Sequence, residues 1–389
     1  METILHPYHP RRTLLLLEYV NRSGQEDAPK KLSSPPNVLL FVGGLYDNFQ
    51  WPRYLDDLAA LFPRDVRDQQ WRVMQVQLSS NGRSWGLFDL DRDVEEIAMA
   101  ISYIRDTITG SPTTPIVLMG HSTGCQDSFH YLVSPASPSF PRPNISGAIL
   151  QAPVSDREAI LRELETNSSA KASYDATLAI VKSTPVEKYK TTILPMDLTN
   201  SLFGPSPVSV SRFLSLVSPD SPAHPSMDDY FSSDLSDERL RATFGQIYRA
   251  PHFIATPTGK SPRSILILQG AADRSIPPHV DKHVLLNRWK AAVESPGSTV
   301  TLSPHSAIIE HATHDIAGSS IPAKEARLVE MRSAVLKYLG DAVGGVEGGA
   351  GQPDSEYAPW KIWERDMKAI EKEREASKAE GKSAEESKL

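Results

Sequence analysis

Short apolar runs alternate with longer stretches of mixed polarity along most of this 389-residue chain. The runs have the length of buried strands, and we predict strands at residues 13–20, 38–42, 71–78, 115–119, 145–150 and 264–268. Helices are predicted at residues 51–62, 125–133 and 323–343, and at 90–104, where Leu90, Val94, Ile97, Ile101 and Ile104 follow at alternating steps of four and three. Strands that alternate with helices predict a mainly parallel sheet with helices on both faces.

This alternation stops between residues 151 and 262. Helical patterns at residues 157–164 and 174–182 lead into a segment rich in proline and serine at 205–225, and another helical pattern follows at 236–248. We predict that residues 151–262 form an inserted cap on a core made of residues 10–150 and 263–343. A glycine-rich linker then leads into a charged tail, so residues 344–389 are predicted to be flexible.

A Gly-x-Ser-x-Gly motif follows the predicted strand at residues 115–119. It reads Gly120-His121-Ser122-Thr123-Gly124, and the helical pattern of residues 125–133 begins directly after it. In a nucleophile elbow the serine sits on a sharp turn between strand and helix, and the glycines let neighbouring backbone approach closely. The motif therefore predicts that Ser122 is a catalytic nucleophile.

An acid and a base follow Ser122 in the chain. Asp273 comes shortly after the predicted strand 264–268, and His314 follows the apolar residues 307–309. The order serine, aspartate, histidine is that of the α/β-hydrolases, which predicts this fold with Asp273 orienting His314 as the general base. We prefer His314 to the alternative His311, because small residues precede it and a short polar turn follows. Asp156 is the alternative acid, but Asp273 has the stronger Gly/Pro turn context.

A Gly-Gly pair after the predicted strand 38–42 resembles the loop that supplies one oxyanion donor in this fold. We predict that the backbone amide of Gly44 or Leu45, together with that of Thr123, stabilises the oxyanion. Residues 81–86 should form a further loop at the rim of the site. Trp85 in that loop is predicted to contact substrate or, alternatively, to pack the loop down.

Charge and histidine spacing exclude other classes of site. The formal net charge of −7, with both signs interspersed, lacks the basic character of a nucleic-acid-binding surface, so we expect no nucleic-acid partner. His279 and His283 have the i, i+4 spacing of a helical metal site, but no third ligand is evident beside them. We therefore predict no metal and no cofactor.

Cysteine content and hydropathy bear on the compartment. The single cysteine, Cys125, excludes an intrachain disulfide and favours a reducing compartment. The apolar run within residues 11–18 is too short for a signal peptide and ends at Glu18, and no segment reaches the length of a transmembrane helix. We expect a cytoplasmic protein whose partner is a small-molecule ester.

Four segments together resemble a fungal α/β-hydrolase family that contains siderophore esterases acting on fusarinine-type hydroxamates: residues 41–45, 79–86, 90–97 and 120–127. The resemblance spans roughly residues 10–340. It implies the same nucleophile, acid and base, and hydrolysis of the ester bonds that link acylated hydroxyornithine units, which releases iron inside the cell. The residues alone predict a serine ester hydrolase with a cap. A generalist carboxylesterase, thioesterase or lipase-like hydrolase is the alternative, and a non-catalytic binding protein of this fold is a second.

Overall fold

A nine-stranded sheet runs through the described part of the chain. The computed structural model describes residues 2–20, 35–62, 71–136, 141–256, 259, 263–316 and 321–344. The strands are β1 (Glu2–His9), β2 (Leu14–Val20), β3 (Asn37–Val42), β4 (Trp71–Val76), β5 (Ile116–His121), β6 (Gly147–Gln151), β7 (Ser264–Gly270), β8 (Thr301–Leu302) and β9 (Ala307–Ile309). Their order in the sheet is β1-β2-β4-β3-β5-β6-β7-β8, with β9 also pairing with β7.

The pairing is parallel from β4 across the sheet to β8, while β1 and β2 add an antiparallel edge. Strand β3 lies between β4 and β5, so the direction of winding reverses next to β3. In open parallel sheets, ligands bind beyond the carboxyl ends of the strands at such a reversal point. The loops after β3 and β5 meet there.

Helices cover both faces of the sheet. Within the described ranges they are α1 (Tyr54–Ala60), α2 (Leu90–Tyr103), α3 (Gly124–Val133), α4 (Asp156–Thr166), α5 (Ser168–Ser183), α6 (Met196–Phe203), α7 (Val210–Val217), α8 (Asp237–Thr243), α9 (Lys282–Val293) and α10 (Ile321–Ala342). Successive residues of β3 enter different apolar clusters: Val38 and Leu40 pack with α2, α3 and α9, whereas Leu39 and Phe41 pack with α1 and α10. This alternation is the period of two expected for a strand buried on both faces.

The segment between β6 and β7 divides into two parts by its packing. Helices α4 to α7 contribute to a separate apolar cluster that also contains Trp85. Residues from Tyr230 to Phe253, including α8, join the same cluster as α2, α3 and α9 instead. Helix α8, which lies within our predicted cap of residues 151–262, therefore packs in the cluster that covers the sheet rather than with helices α4 to α7. Of the predicted tail at residues 344–389, all but Gly344 lies outside the described residues.

None of the helices in these described ranges is long and apolar enough to cross a membrane.

Candidate active site

Ser122 lies on a tight turn between β5 and α3. Its φ of +54° is in the left-handed region, which is rare for a residue with a side chain and is maintained here by the surrounding backbone. The Ser122 amide donates a hydrogen bond to the carbonyl of Gln151 at 3.1 Å. A Cβ at Gly124 would lie 2.3 Å from the carbonyl oxygen of Val42, so only glycine permits this approach of the helix to β3. The local geometry is that of a nucleophile elbow.

Asp273 and His314 meet at the carboxyl end of β7. Asp273 lies in the turn after β7, and His314 lies in the loop after β9, which pairs with β7. The distance between His314 Nδ1 and Asp273 Oδ2 is 2.8 Å, and the Asp273 carboxylate is buried. A bond to Nδ1 orients the ring and leaves Nε2 as the nitrogen that can accept a proton.

The two side chains shift each other's pKa values. Burial raises the pKa of Asp273, but the hydrogen bond and charge of His314, the amide of Ser275 and the charge of Lys282 together hold that pKa below its ordinary value. Burial lowers the pKa of His314, but the hydrogen bond and charge of Asp273 outweigh it and keep the pKa above the usual range. This electrostatic environment favours an imidazolium at His314.

His314 also faces the nucleophile turn. Its ring centroid lies 5.0 Å from that of His121, the residue directly before Ser122. Ser122 Oγ makes no hydrogen bond to another described residue. Contacts between nucleophile and base commonly tighten only in the reacting complex. The three predicted residues therefore lie at one edge of the sheet, with the acid–base hydrogen bond already formed.

Neither alternative residue makes this contact. The His311 side chain is 72% exposed and lies 3.9 Å from Glu310. Asp156 is at the start of α4, where its Oδ2 accepts a hydrogen bond from Gln126 Nε2 at 3.2 Å. Burial raises the pKa of Asp156 to about 6. The geometry thus pairs His314 with Asp273 rather than with Asp156.

The loop after β3 lies directly against the nucleophile. A Cβ at Gly44 would be only 2.9 Å from the Cβ of Ser122. The Gly44 amide donates to Asp47 Oδ2 at 2.6 Å, so this amide already has an acceptor, which argues against Gly44 as the oxyanion donor. The amides of Leu45 and Thr123 have no acceptor among the described residues, so Leu45 is the better candidate of the two that we predicted.

Trp85 is fully buried and does not form part of a solvent-facing rim. Its ring lies 5.6 Å from Tyr46 and 5.3 Å from Phe203, measured between centroids. In this conformation Trp85 offers no exposed surface to a substrate, because the loop turns it into the apolar cluster of helices α4 to α7. The alternative that we gave, packing of the loop, is the observed one.

Lys282, at the start of α9, fixes the loop that carries Asp273. Its Nζ donates to three backbone carbonyls, those of Gly270 at 2.9 Å, Ala271 at 2.7 Å and Asp273 at 3.0 Å. The sequence around Lys282 does not indicate this role, because nothing in its local pattern shows that the side chain folds back onto the preceding loop. Asp47 has a recognisable signal, since it is an acid that closely follows a Gly-Gly pair.

The two histidines with metal-like spacing are both exposed. His279 precedes α9 and His283 lies within it. In the described residues, no group of three or more His, Cys, Asp or Glu side chains could hold a metal ion.

Comparison with known proteins agrees with the fold. Residues 1–339 match the model of a family described as a protein of unknown function, DUF1749. The chain is 36% identical to the esterase AN6793 of Emericella nidulans, over 87% of this chain and 96% of that relative. It is 37% identical to the fusarinine C esterase sidJ of Aspergillus fumigatus, over 86% of this chain and 95% of that relative.

Among solved structures, the siderophore hydrolase EstB of Aspergillus fumigatus superposes with a TM-score of 0.73 at 35% identity, covering 89% of this chain and 98% of that one. The sheet order, the turn at Ser122 and the acid–histidine pair are those of the α/β-hydrolase fold. The chain therefore has the α/β-hydrolase fold and belongs to the DUF1749 family.

Proposed function

We propose that this protein is a serine ester hydrolase in which Ser122, His314 and Asp273 form the catalytic triad. The observation that carries the proposal is the hydrogen bond of 2.8 Å between His314 and a buried Asp273, beside a serine on a left-handed turn. The two curated relatives described above are esterases, and the solved structure described above is a hydrolase. The same geometry argues against a non-catalytic binding protein, which has no need of this pair.

The reaction proceeds in two steps. Ser122 Oγ attacks the acyl carbon while His314 Nε2 accepts its proton, and the resulting imidazolium is stabilised by Asp273. His314 then returns that proton to the departing alkoxide. Water, deprotonated by the same nitrogen, releases the acyl group and restores Ser122.

Two backbone amides stabilise the negative charge that develops on the acyl oxygen. The candidates are the amides of Leu45 and Thr123, which flank Ser122 from the loop after β3 and from the start of α3. Such donors typically contribute about 3 kcal/mol each to transition-state stabilisation. The Asp47 carboxylate, by accepting from Gly44, fixes the loop that presents Leu45.

The proposed substrate is a hydroxamate siderophore of the fusarinine type, whose hydroxyornithine units are joined by esters. Support comes from the fusarinine C esterase and the siderophore hydrolase, which match this chain over more than four fifths of its length. Helices α4 to α7 act as the cap that selects this substrate. Tyr46, the residue after Leu45, connects these helices to the site. Its hydroxyl donates a hydrogen bond to the carbonyl of Phe203 in α6.

We place the reaction inside the cell, where it would contribute to iron homeostasis. The single cysteine, Cys125, is buried and forms no intrachain disulfide, as suits a reducing compartment. Cell fractionation with an antibody to the native protein tests this placement, and recovery mainly in the culture medium would contradict it.

Substrate profiling tests the proposed function. We expect kcat/KM for a cyclic fusarinine-type triester to exceed that for p-nitrophenyl butyrate and for an acyl thioester by at least about 100-fold, a margin of about 3 kcal/mol in the transition state. The Ser122→Ala variant serves as the control for each substrate. Equal values for all three substrates would favour the generalist hydrolase, and no turnover of any would favour the binding protein.

A further inference from the structure

Gln151, the last residue of β6, connects the nucleophile turn to the loop of the proposed base. Its backbone carbonyl accepts the Ser122 amide at 3.1 Å. Its side-chain Oε1 lies 2.5 Å from His121 Nδ1, and its Nε2 donates to the backbone carbonyl of His314 at 3.1 Å. The residue is fully buried, so these contacts do not compete with bulk water.

The contacts determine which way the amide of Gln151 points. The carbonyl of His314 can only accept, so the end of Gln151 that faces it must be the NH2 group. The opposite end, Oε1, can only accept, and it faces both His121 Nδ1 and the hydroxyl of Tyr54, which lies 2.8 Å away. His121 must therefore carry a proton on Nδ1, and Tyr54 must donate to the same oxygen.

His121 is also held in its neutral form. Burial, with the nearby charge of His314, lowers the pKa of His121 to about 3. A neutral ring with hydrogen on Nδ1 has a bare Nε2, and this atom lies 3.8 Å from Asp47 Oδ2. A second imidazolium only 5.0 Å from the His314 ring would oppose the protonation of the base, so a neutral His121 favours proton uptake by His314.

We propose that Gln151 is a positioning residue for the hydrolase. It fixes His121 as the neutral Nδ1–H tautomer and holds the backbone of His314 at a set distance from Ser122. The proposal rests on the proposed function for its effect on turnover, but the proton on His121 Nδ1 follows from the hydrogen bonds and the neutral state of the ring from its burial. No element of the sequence pattern indicates this role, since Gln151 and His314 are 163 positions apart.

The direct test is the tautomer of His121 in the wild-type protein labelled with 15N at histidine. Two-bond nitrogen–proton correlation spectra, assigned with a His121→Gln variant, distinguish Nδ1–H from Nε2–H. We expect a neutral ring with hydrogen on Nδ1 at pH 7. An Nε2–H tautomer, or a charged ring, would overturn the proposal whether or not the protein hydrolyses esters.

The second test measures turnover in the Gln151→Met variant, which keeps the length of the side chain but removes its three hydrogen bonds, to His121, Tyr54 and the carbonyl of His314. We expect kcat to fall by about 10- to 100-fold with KM changed by less than about threefold, since ground-state binding is untouched. The matched control is Gln269→Met. Gln269 is equally buried near the end of β7 and contacts Pro153 rather than either histidine, so wild-type kcat is expected.

Three outcomes separate the two proposals. Wild-type kcat in a folded Gln151→Met variant would overturn the positioning role. Wild-type hydrolysis by Ser122→Ala would instead overturn the triad while leaving the tautomer assignment standing. If Gln151→Met does not fold, the spectrum of the wild-type protein still decides the proposal.

Discussion

At the scale of single residues, the charge on His314 controls the proposed reaction. The base must be neutral, and its pKa lies above the ordinary value of 6.5 because of Asp273. Activity is therefore present above this raised pKa and is lost as the pH falls through it. We expect the acid limb of the kcat/KM profile to have its midpoint above pH 6.5.

Replacing the acid tests this electrostatic argument. Asp273→Asn removes the negative charge, so the pKa of His314 should fall and the midpoint of the acid limb should move to lower pH. We expect kcat of this variant to be about 10⁴-fold below that of the wild type, as in other triads whose aspartate is replaced by asparagine. The pH dependence of kcat/KM for both proteins is the measurement, and an unchanged midpoint would show that Asp273 does not face the base.

Local chemistry allowed some of these residues to be predicted. Ser122 stands in a five-residue motif, and Asp273 and His314 follow strands in an order known for this fold, so each has a signal within a few positions. Gln151 and Lys282 lack such a signal. Their roles depend on hydrogen bonds to backbone carbonyls that come within reach of these side chains only when the sheet and its loops have assembled. A local sequence pattern does not predict such contacts.

At the scale of secondary-structure elements, the burial of a strand or helix determines whether its hydrophobic pattern identifies it in the sequence. Strands β3 and β5 are buried along their whole length, so both appear as uninterrupted apolar runs and agree with the predictions to within two residues. The edge strand β1 lacks such a pattern, because seven of its eight residues are exposed or partly exposed and it contains Pro7. Helix α7 was missed because it lies within the segment rich in proline and serine, although Ser209 caps it.

The junction of α2, α3 and α7 contains a buried carboxyl pair. The side chains of Asp93 and Asp127 are hydrogen-bond neighbours, and Ser80 donates to Asp93 at 2.7 Å. Arg212 of α7 is buried beside them and pairs with Asp228 at 2.5 Å. Burial raises the pKa of Asp93 to about 7, and burial together with the Asp93 charge raises the pKa of Asp127 well above its ordinary value.

This pair should make stability depend on pH. The pKa values of both carboxyl groups are raised in the folded protein. Their contribution to the free energy of unfolding is therefore complete below the unfolded pKa of about 4 and is lost as the pH rises through about 7. In Asp127→Asn the amide cannot ionise, so we expect the decline in Tm between pH 5 and pH 8 to become shallower. The gain at pH 8 should be at least about 2 °C, the shift for 1 kcal/mol in a domain of this size.

Thermal unfolding of both proteins at the two pH values measures the effect. The control is Asp175→Asn, an exposed carboxylate on α5 that pairs with Lys171 and should leave the pH dependence unchanged. An Asp127→Asn profile parallel to that of the wild type would contradict the assignment.

At the scale of the whole molecule, the insertion is joined to the core through a tryptophan. Trp85 comes from the core loop after β4, yet it packs with Tyr46, Phe203 and the apolar residues of α4 to α7. The Arg212 Nε also donates to the carbonyl of Trp85 at 3.2 Å. These contacts fix the proposed cap to the elements that carry the active site.

Trp85→Ala should loosen this attachment. Truncating a fully buried tryptophan typically costs about 3–5 kcal/mol of the free energy of unfolding, and we expect a loss of this size in denaturant titrations. Limited proteolysis should then cut first within residues 151–228. The control is Val186→Ala, at a position 74% exposed in the insertion, which should stay within about 0.5 kcal/mol of the wild type. A Trp85→Ala variant of wild-type stability would mean that the insertion is fixed by other contacts.

The sequence predicts the sheet of the whole molecule but not the extent of its insertion. Alternating strands and helices identified the parallel sheet, because that pattern depends on local burial. The extent of the insertion could not be derived in this way. A helix such as α8 has the same apolar periodicity whether its partner is the sheet or a cap, and only the assembled packing distinguishes the two.

Labelling of the nucleophile tests the proposed triad of Ser122, His314 and Asp273 directly. A fluorophosphonate reacts covalently with an activated serine, and peptide mapping by mass spectrometry locates the adduct. We expect one adduct, on Ser122, that is absent in Ser122→Ala and strongly slowed in His314→Ala, while His311→Ala labels at the wild-type rate. An adduct at another residue, or no adduct on the folded wild-type protein, would contradict the claim.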